Sequence, residues 1–254
     1  MSEPILLCTI DGAVGRLTLN RPKQGNAIDV ALADALMEAA VRLAEDPTVK
    51  VVTLTGHGRL FCAGGDIDAF TSGEPGAVIA RITVSLHAAI NRLATMPKPL
   101  ITLVNGPAAG AGLGLAMLGD IVLAASSAHF TSAYTAIGVS PDAGTSWLLP
   151  RLIGLRRAQE MILTNRRVGA DEAQAIGLVT RVVADDQLAK AGDELAQSLA
   201  MGATAALATA RRLLHRSHCS SLADHLEAEA AGIVAAARSD EAKARLSAFG
   251  KANA

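Results

Sequence analysis

Two short apolar runs, each leading into a glycine-rich loop, constrain what this chain can fold into more than any other feature. Val49-Lys50-Val51-Val52-Thr53-Leu54-Thr55 is β-branched and short enough for a buried strand, and the loop Gly56 to Gly65 follows it. Leu100-Ile101-Thr102-Leu103-Val104 repeats the pattern and runs into Asn105 to Gly114. Helix-like sequence over Ala77 to Met96 joins the two, stopped by Pro97 and Pro99. The order strand, loop, helix, strand, loop, helix predicts an α/β fold of stacked β–β–α units around a largely parallel sheet. Such loops let backbone approach a ligand closely, and helix N-termini present free N–H groups. Two of them side by side would aim two donors at one oxygen and stabilise a developing enolate. The same glycines also suit plain turns and close strand–helix packing, and spacing alone does not separate the two uses.

The flanking sequence extends this plan. Asp11-Gly12 between Ile5–Ile10 and Val14–Leu19 predicts a hairpin. Asp29 caps an Ala/Leu-rich helix that ends near Asp46-Pro47. Residues 120–124 and 128–131 read as further strands. From Gly144 onward the pattern is mostly helical, with one more strand over Leu178–Val183.

Composition excludes several function classes. The formal net charge is −1 and aromatic content is 2%, which predicts neither nucleic-acid nor anionic-membrane partners. The most apolar long stretch, Pro107 to Ala125, contains Asp120 and is rich in Gly and Ala, so no membrane span is expected. Cys8, Cys62 and Cys219 are odd in number and widely spaced, which fits a reducing compartment. The start, Met1-Ser2-Glu3-Pro4, has no basic n-region, and a cytoplasmic location is expected. Gly110-Ala111-Gly112-Leu113-Gly114 falls short of a dinucleotide fingerprint, because Leu115 stands where the last glycine belongs. His215, His218 and Cys219 lack a fourth ligand, so no metal is expected. Cys62 has no histidine at a spacing that would make it a nucleophile.

Taken together, five blocks resemble the enoyl-CoA hydratase/isomerase (crotonase) family across nearly the whole chain. They are Asn20-Arg21-Pro22 with Asn26-Ala27, Gly58 to Ile67, Lys98-Pro99 through Asp120, Ile137-Gly138 through Gly154, and Ala173 to Val183. The resemblance implies a spiral core over residues 1–195 and a C-terminal helical trimerisation region over 196–254, assembled as a homotrimer or dimer of trimers. It implies acyl-CoA thioester substrates with no separate cofactor. The N–H groups of Ala63 and Ala111 would form the oxyanion hole. Ala63, Gly64, Gly65, Asp66 and Ile67 would border the adenine and pantetheine path. Lys23 would approach the nucleotide phosphates, and Phe249 with Lys251 would meet coenzyme A from the tail.

Hydration by this family uses two glutamates, and their positions fall at Gly114 and Tyr134, neither of which can replace them. One acidic residue stands in the block from Ile137 to Gly154, Asp142 in Ser140-Pro141-Asp142-Ala143-Gly144-Thr145. That resembles the isomerase branch, which shifts a double bond or opens a ring epoxide with a single aspartate. Asp142 is thus expected to shuttle the proton, with Tyr134 as a hydrogen-bond donor in the pocket. A weak hydratase with non-standard acids and an inactive acyl-CoA binder are the alternatives. Asp142 follows a proline and precedes a helix-like run, so an N-cap role competes with the catalytic one.

Overall fold

The structure, a computed structural model, describes residues 3–252. The expected hairpin forms: β1 (Leu6–Asp11) pairs antiparallel with β2 (Val14–Leu19). Asp29 accepts the Leu32 N–H and caps α1 (Val30–Glu45). β3 (Val51–Gly56) and β4 (Leu100–Val104) are the two buried runs, and β6 (Ile121–Ala125) and β9 (Arg181–Val183) follow beside them. Their sheet has the order β1-β2-β3-β4-β6-β9 and is parallel beyond the hairpin. Val51, Val52 and Leu54 of β3 and every residue of β4 are buried, as strands covered on both faces require.

Three short strands escape periodicity or are cut down. β5 (Ala108–Ala109), β7 (His129–Thr131) and β8 (Val168–Gly169) form a second small sheet. Two-residue strands carry no alternation, so only their partners define them. The strand expected over Leu178–Val183 shortens to Arg181–Val183, because Leu178 and Val179 turn back to the Ala173 carbonyl.

Helices cover the sheet. α2 (Ile67–Thr71) is a short helix after the first glycine loop, and α3 (Pro75–Thr95) packs along α1. α4 (Ala111–Ala116) starts inside the second loop and is wholly buried. α5 (Thr145–Ile153), α6 (Leu155–Thr164) and α7 (Ala170–Ala175) follow, then α8 (Leu188–Ala200), which lies on β3 and β4. The boundary expected at residue 195 falls within α8, which runs unbroken to Ala200. α9 (Thr204–Arg216), α10 (Leu222–Ala237) and α11 (Asp240–Ala252) are the last elements of the described residues and leave Leu222, Leu226, Ile233 and Leu246 exposed. No described helix is long and apolar enough to cross a membrane.

Candidate active site

The two glycine-rich loops leave the C-terminal ends of adjacent strands, β3 and β4, so they meet. Cys62 bridges Ala108 in parallel, with the Ala109 N–H on the Cys62 carbonyl at 3.0 Å. Two asparagines shape the first loop. Buried Asn26 donates to the carbonyls of His57 and Leu60 at 3.0 and 2.8 Å. Asn105, at the end of β4, accepts the Gly56 N–H at 3.1 Å and donates to Gly58 at 2.9 Å. These contacts explain why Asn20–Asn26 and Asn105-Gly106 accompany the loop in the sequence.

The loops also touch at Gly64 and Gly110. Gly64 has φ +104°, and a Cβ there would stand 2.9 Å from the Ala109 carbonyl and 3.4 Å from Gly110 Cα. Only glycine allows both the dihedral and the contact. The residues after them, Gly65 and Ala111, are therefore neighbours across the seam.

Here the structure corrects one expected donor. The Ala63 N–H is taken by the Gly25 carbonyl at 2.9 Å, so it does not face an empty site. The N–H groups of Gly65 and Ala111 have no acceptor among the described residues. Gly65 was expected on the substrate path, and the pairing of Ala63 with a carbonyl distant in sequence left no local signal. The Cys62 thiol beneath the loop is fully buried, which pushes its pKa up to about 12 and leaves it unreactive.

Asp142 is not a helix cap. The N-cap of α5 is Gly144, with no side-chain cap bond, and Asp142 meets the helix only through its carbonyl, which accepts the Thr145 N–H. One oxygen of its carboxylate is held by Tyr134, and His87 approaches the other. Tyr134 Oη donates to Asp142 Oδ1 at 2.7 Å and lies 3.4 Å from Thr145 Oγ1. Burial and the adjacent carboxylate push the Tyr134 phenol far above its usual range, so it remains a donor. On the other side His87 Nε2 stands 3.7 Å from Asp142 Oδ2 and accepts the Ala143 N–H at 3.3 Å. With Nε2 accepting, a neutral ring carries its hydrogen on Nδ1. The Asp142 side chain keeps 28% of its surface exposed, enough to reach a ligand. His87 lies in α3, 55 residues before Asp142, and its helical surroundings gave it no motif.

Gly114 explains the missing family acid in space. A Cβ there would meet the Ala143 carbonyl at 2.4 Å and Ala143 Cβ at 2.9 Å. The loop that presents Asp142 therefore occupies the place a residue-114 side chain would need.

The remaining expected residues divide. Asp66 is buried and committed: it caps α2 through the Ala69 N–H and pairs with Arg21 at 2.9 Å. Burial raises its pKa, but the Ala69 N–H and Arg21 outweigh this and hold it below the usual range. Ile67 is half exposed beside the loop, and Lys23 is exposed in the turn before Gly25. Phe249 lies in α11, in an apolar groove with Ile233 and Leu246, not beside the glycine loops. The Lys251 side chain lies outside the described residues. His215 faces Asp120 at 3.5 Å.

Residues 9–252 match the enoyl-CoA hydratase/isomerase family. The chain is 36% identical over 248 residues to 1,2-epoxyphenylacetyl-CoA isomerase of Escherichia coli (strain K12), covering 96% of this chain and 94% of that one. It is 37% identical over 194 residues to 4-chlorobenzoyl coenzyme A dehalogenase-2 of Arthrobacter sp, covering 75% and 70%. An enoyl-CoA hydratase structure from Bacillus anthracis superposes with a TM-score of 0.93 at 29% identity, covering 98% of this chain and 96% of that one. With its strand order, its paired glycine loops and these likenesses, the chain belongs to the enoyl-CoA hydratase/isomerase family and is an enzyme acting on coenzyme A thioesters.

Proposed function

We propose that the protein is an isomerase that shifts a double bond, or opens a ring epoxide, on an acyl-CoA thioester. The observation that carries this reading is Asp142: it is freed from capping, held at one oxygen by Tyr134, and stands where no second acid can enter beside it. In a 3-enoyl thioester the Asp142 carboxylate removes a proton from C2. The electron pair flows toward the thioester oxygen as a dienolate. The N–H groups of Gly65 and Ala111 hold that oxygen, replacing the expected Ala63–Ala111 pair. Asp142 then returns the proton to C4, giving the conjugated product. Coenzyme A enters as part of the substrate. Assembly into trimers belongs to the same reading, supported by the exposed apolar side chains of α10 and α11.

A second reading is favoured by His87 and by the likeness to the dehalogenases. A carboxylate beside an imidazole also suits displacement. Asp142 would attack the ring carbon of a halogenated aryl thioester, halide would leave, and His87 would activate the water that hydrolyses the ester.

One set of incubations in heavy water separates these readings. With a 3-enoyl-CoA, wild-type protein is expected to form the 2-enoyl isomer with deuterium incorporation, and Asp142→Asn to lose about 100-fold or more of that rate. Formation of 3-hydroxyacyl-CoA decides for hydration. Chloride release from 4-chlorobenzoyl-CoA, lost in both Asp142→Asn and His87→Gln, decides for displacement.

A further inference from the structure

A cavity of about 790 Å³ begins at His87 and Gly144, beside Asp142, and follows α3 as far as Thr95 and Met96. From His87 to Thr95 a helix rises about 12 Å. α5 and α9 close the opposite side. The lining changes character along its length. Between its ends the walls are largely apolar, with Ile90, Met117, Leu118 and Leu148. At the far end stand Arg211, Arg212, His215, Arg216 and His218.

Asp120 is the one carboxylate in this lining, and it is already engaged. Arg211 Nε donates to its Oδ2 at 2.6 Å, and His215 Nε2 lies 3.5 Å from its Oδ1. Arg212 and Arg216, both in the lining, have no acidic partner among the described residues and are exposed. The cavity is therefore an apolar channel that ends in unneutralised guanidinium groups. A simple hydrocarbon tail would leave those charges unused, whereas a carboxylate matches their geometry and sign.

We propose that this cavity is the acyl pocket and that it selects medium-chain acyl-CoA thioesters carrying a second carboxylate at the far end, read by Arg212 and Arg216. The proposal rests on the reading of Asp142 as the reacting carboxylate. It goes beyond that reading by naming the acyl class.

The test uses the full chain and two saturated CoA thioesters of equal medium length, one ending in methyl and one in carboxylate. Calorimetry on wild type is expected to show the carboxylate-ended thioester binding about tenfold tighter. The preference should shrink as salt is raised. It should vanish in an Arg212→Gln/Arg216→Gln double variant, with affinity for the methyl-ended thioester unchanged. Equal affinity in wild type, or a variant that weakens both ligands alike, overturns the proposal. Saturated thioesters cannot isomerise, so this result is independent of turnover. Preference without turnover of the matching 3-enoyl pair would remove the isomerase reading and leave the pocket; turnover with equal affinity would do the reverse.

Discussion

Tyr134 shows how one residue changes role with its surroundings. The sequence places it where a hydratase would have a glutamate, and a phenol cannot take over proton transfer while burial and a neighbouring charge keep it protonated. It can orient Asp142, through the 2.7 Å bond to Oδ1. Tyr134→Phe is therefore expected to lower kcat about tenfold, the worth of one charge-assisted hydrogen bond, with KM little changed. Steady-state kinetics with thermal unfolding would check this. A large loss of Tm with kcat preserved would mean that the hydroxyl serves packing alone. The cap of α5 is Gly144 and not Asp142, a matter of one turn of backbone that the residue types do not specify.

At the scale of elements, the contact between α4 and the loop before α5 limits which side chains can stand beside Asp142. Gly114 is buried against Ala143, and Ala143 has φ +50°. Restoring a family acid by Gly114→Glu would drive Cβ into the Ala143 carbonyl. Destabilisation of about 3 kcal/mol or more is expected, together with displacement of Asp142. Urea denaturation and an assay for hydration measure both effects. A variant with wild-type stability that hydrates a 2-enoyl-CoA would show the loop to be pliable and this argument wrong. The first glycine loop could be located from sequence, but which of its N–H groups lacks an acceptor could not. Ala63 and Gly65 are equally plausible by type, and only the arrival of the Gly25 carbonyl removes Ala63.

Across the whole molecule, the cluster at Asp120 joins distant parts of the chain. Arg211 of α9 reaches Asp120 and also the carbonyls of Met96 and Leu93, and Asp120 accepts the Leu100 N–H at the start of β4. Burial pushes the Asp120 carboxyl up, but His215, Arg211 and the Leu100 N–H outweigh it and hold it below the usual range. A carboxyl lowered in the folded state contributes stability that is full above the unfolded value of about 3.9 and is lost as pH falls through the folded one. Unfolding free energy is therefore expected to fall below about pH 4, and Asp120→Asn to flatten that fall. At neutral pH the variant should lose about 3 kcal/mol, because it leaves the Arg211 charge buried and uncompensated. Denaturant titrations at several pH values test this, and an unchanged acid slope in the variant would assign the slope to other carboxylates.

Some of this was legible in the residues themselves. β-branched runs, loop glycines, an Asp29 cap and a Pro97–Pro99 stop are local, so the sequence determined the α/β order, the hairpin, α1 and most of α3. The two-residue strands, the Gly65 N–H left without an acceptor among the described residues, the His87–Asp142 approach and the closeness of Gly114 to Ala143 each depend on atoms brought together from distant parts of the chain. A backbone N–H is present at every non-proline residue, and whether it is free depends on which carbonyl folds onto it. That decision belongs to the tertiary structure, and in this protein it engages the Ala63 N–H and leaves that of Gly65 without an acceptor among the described residues.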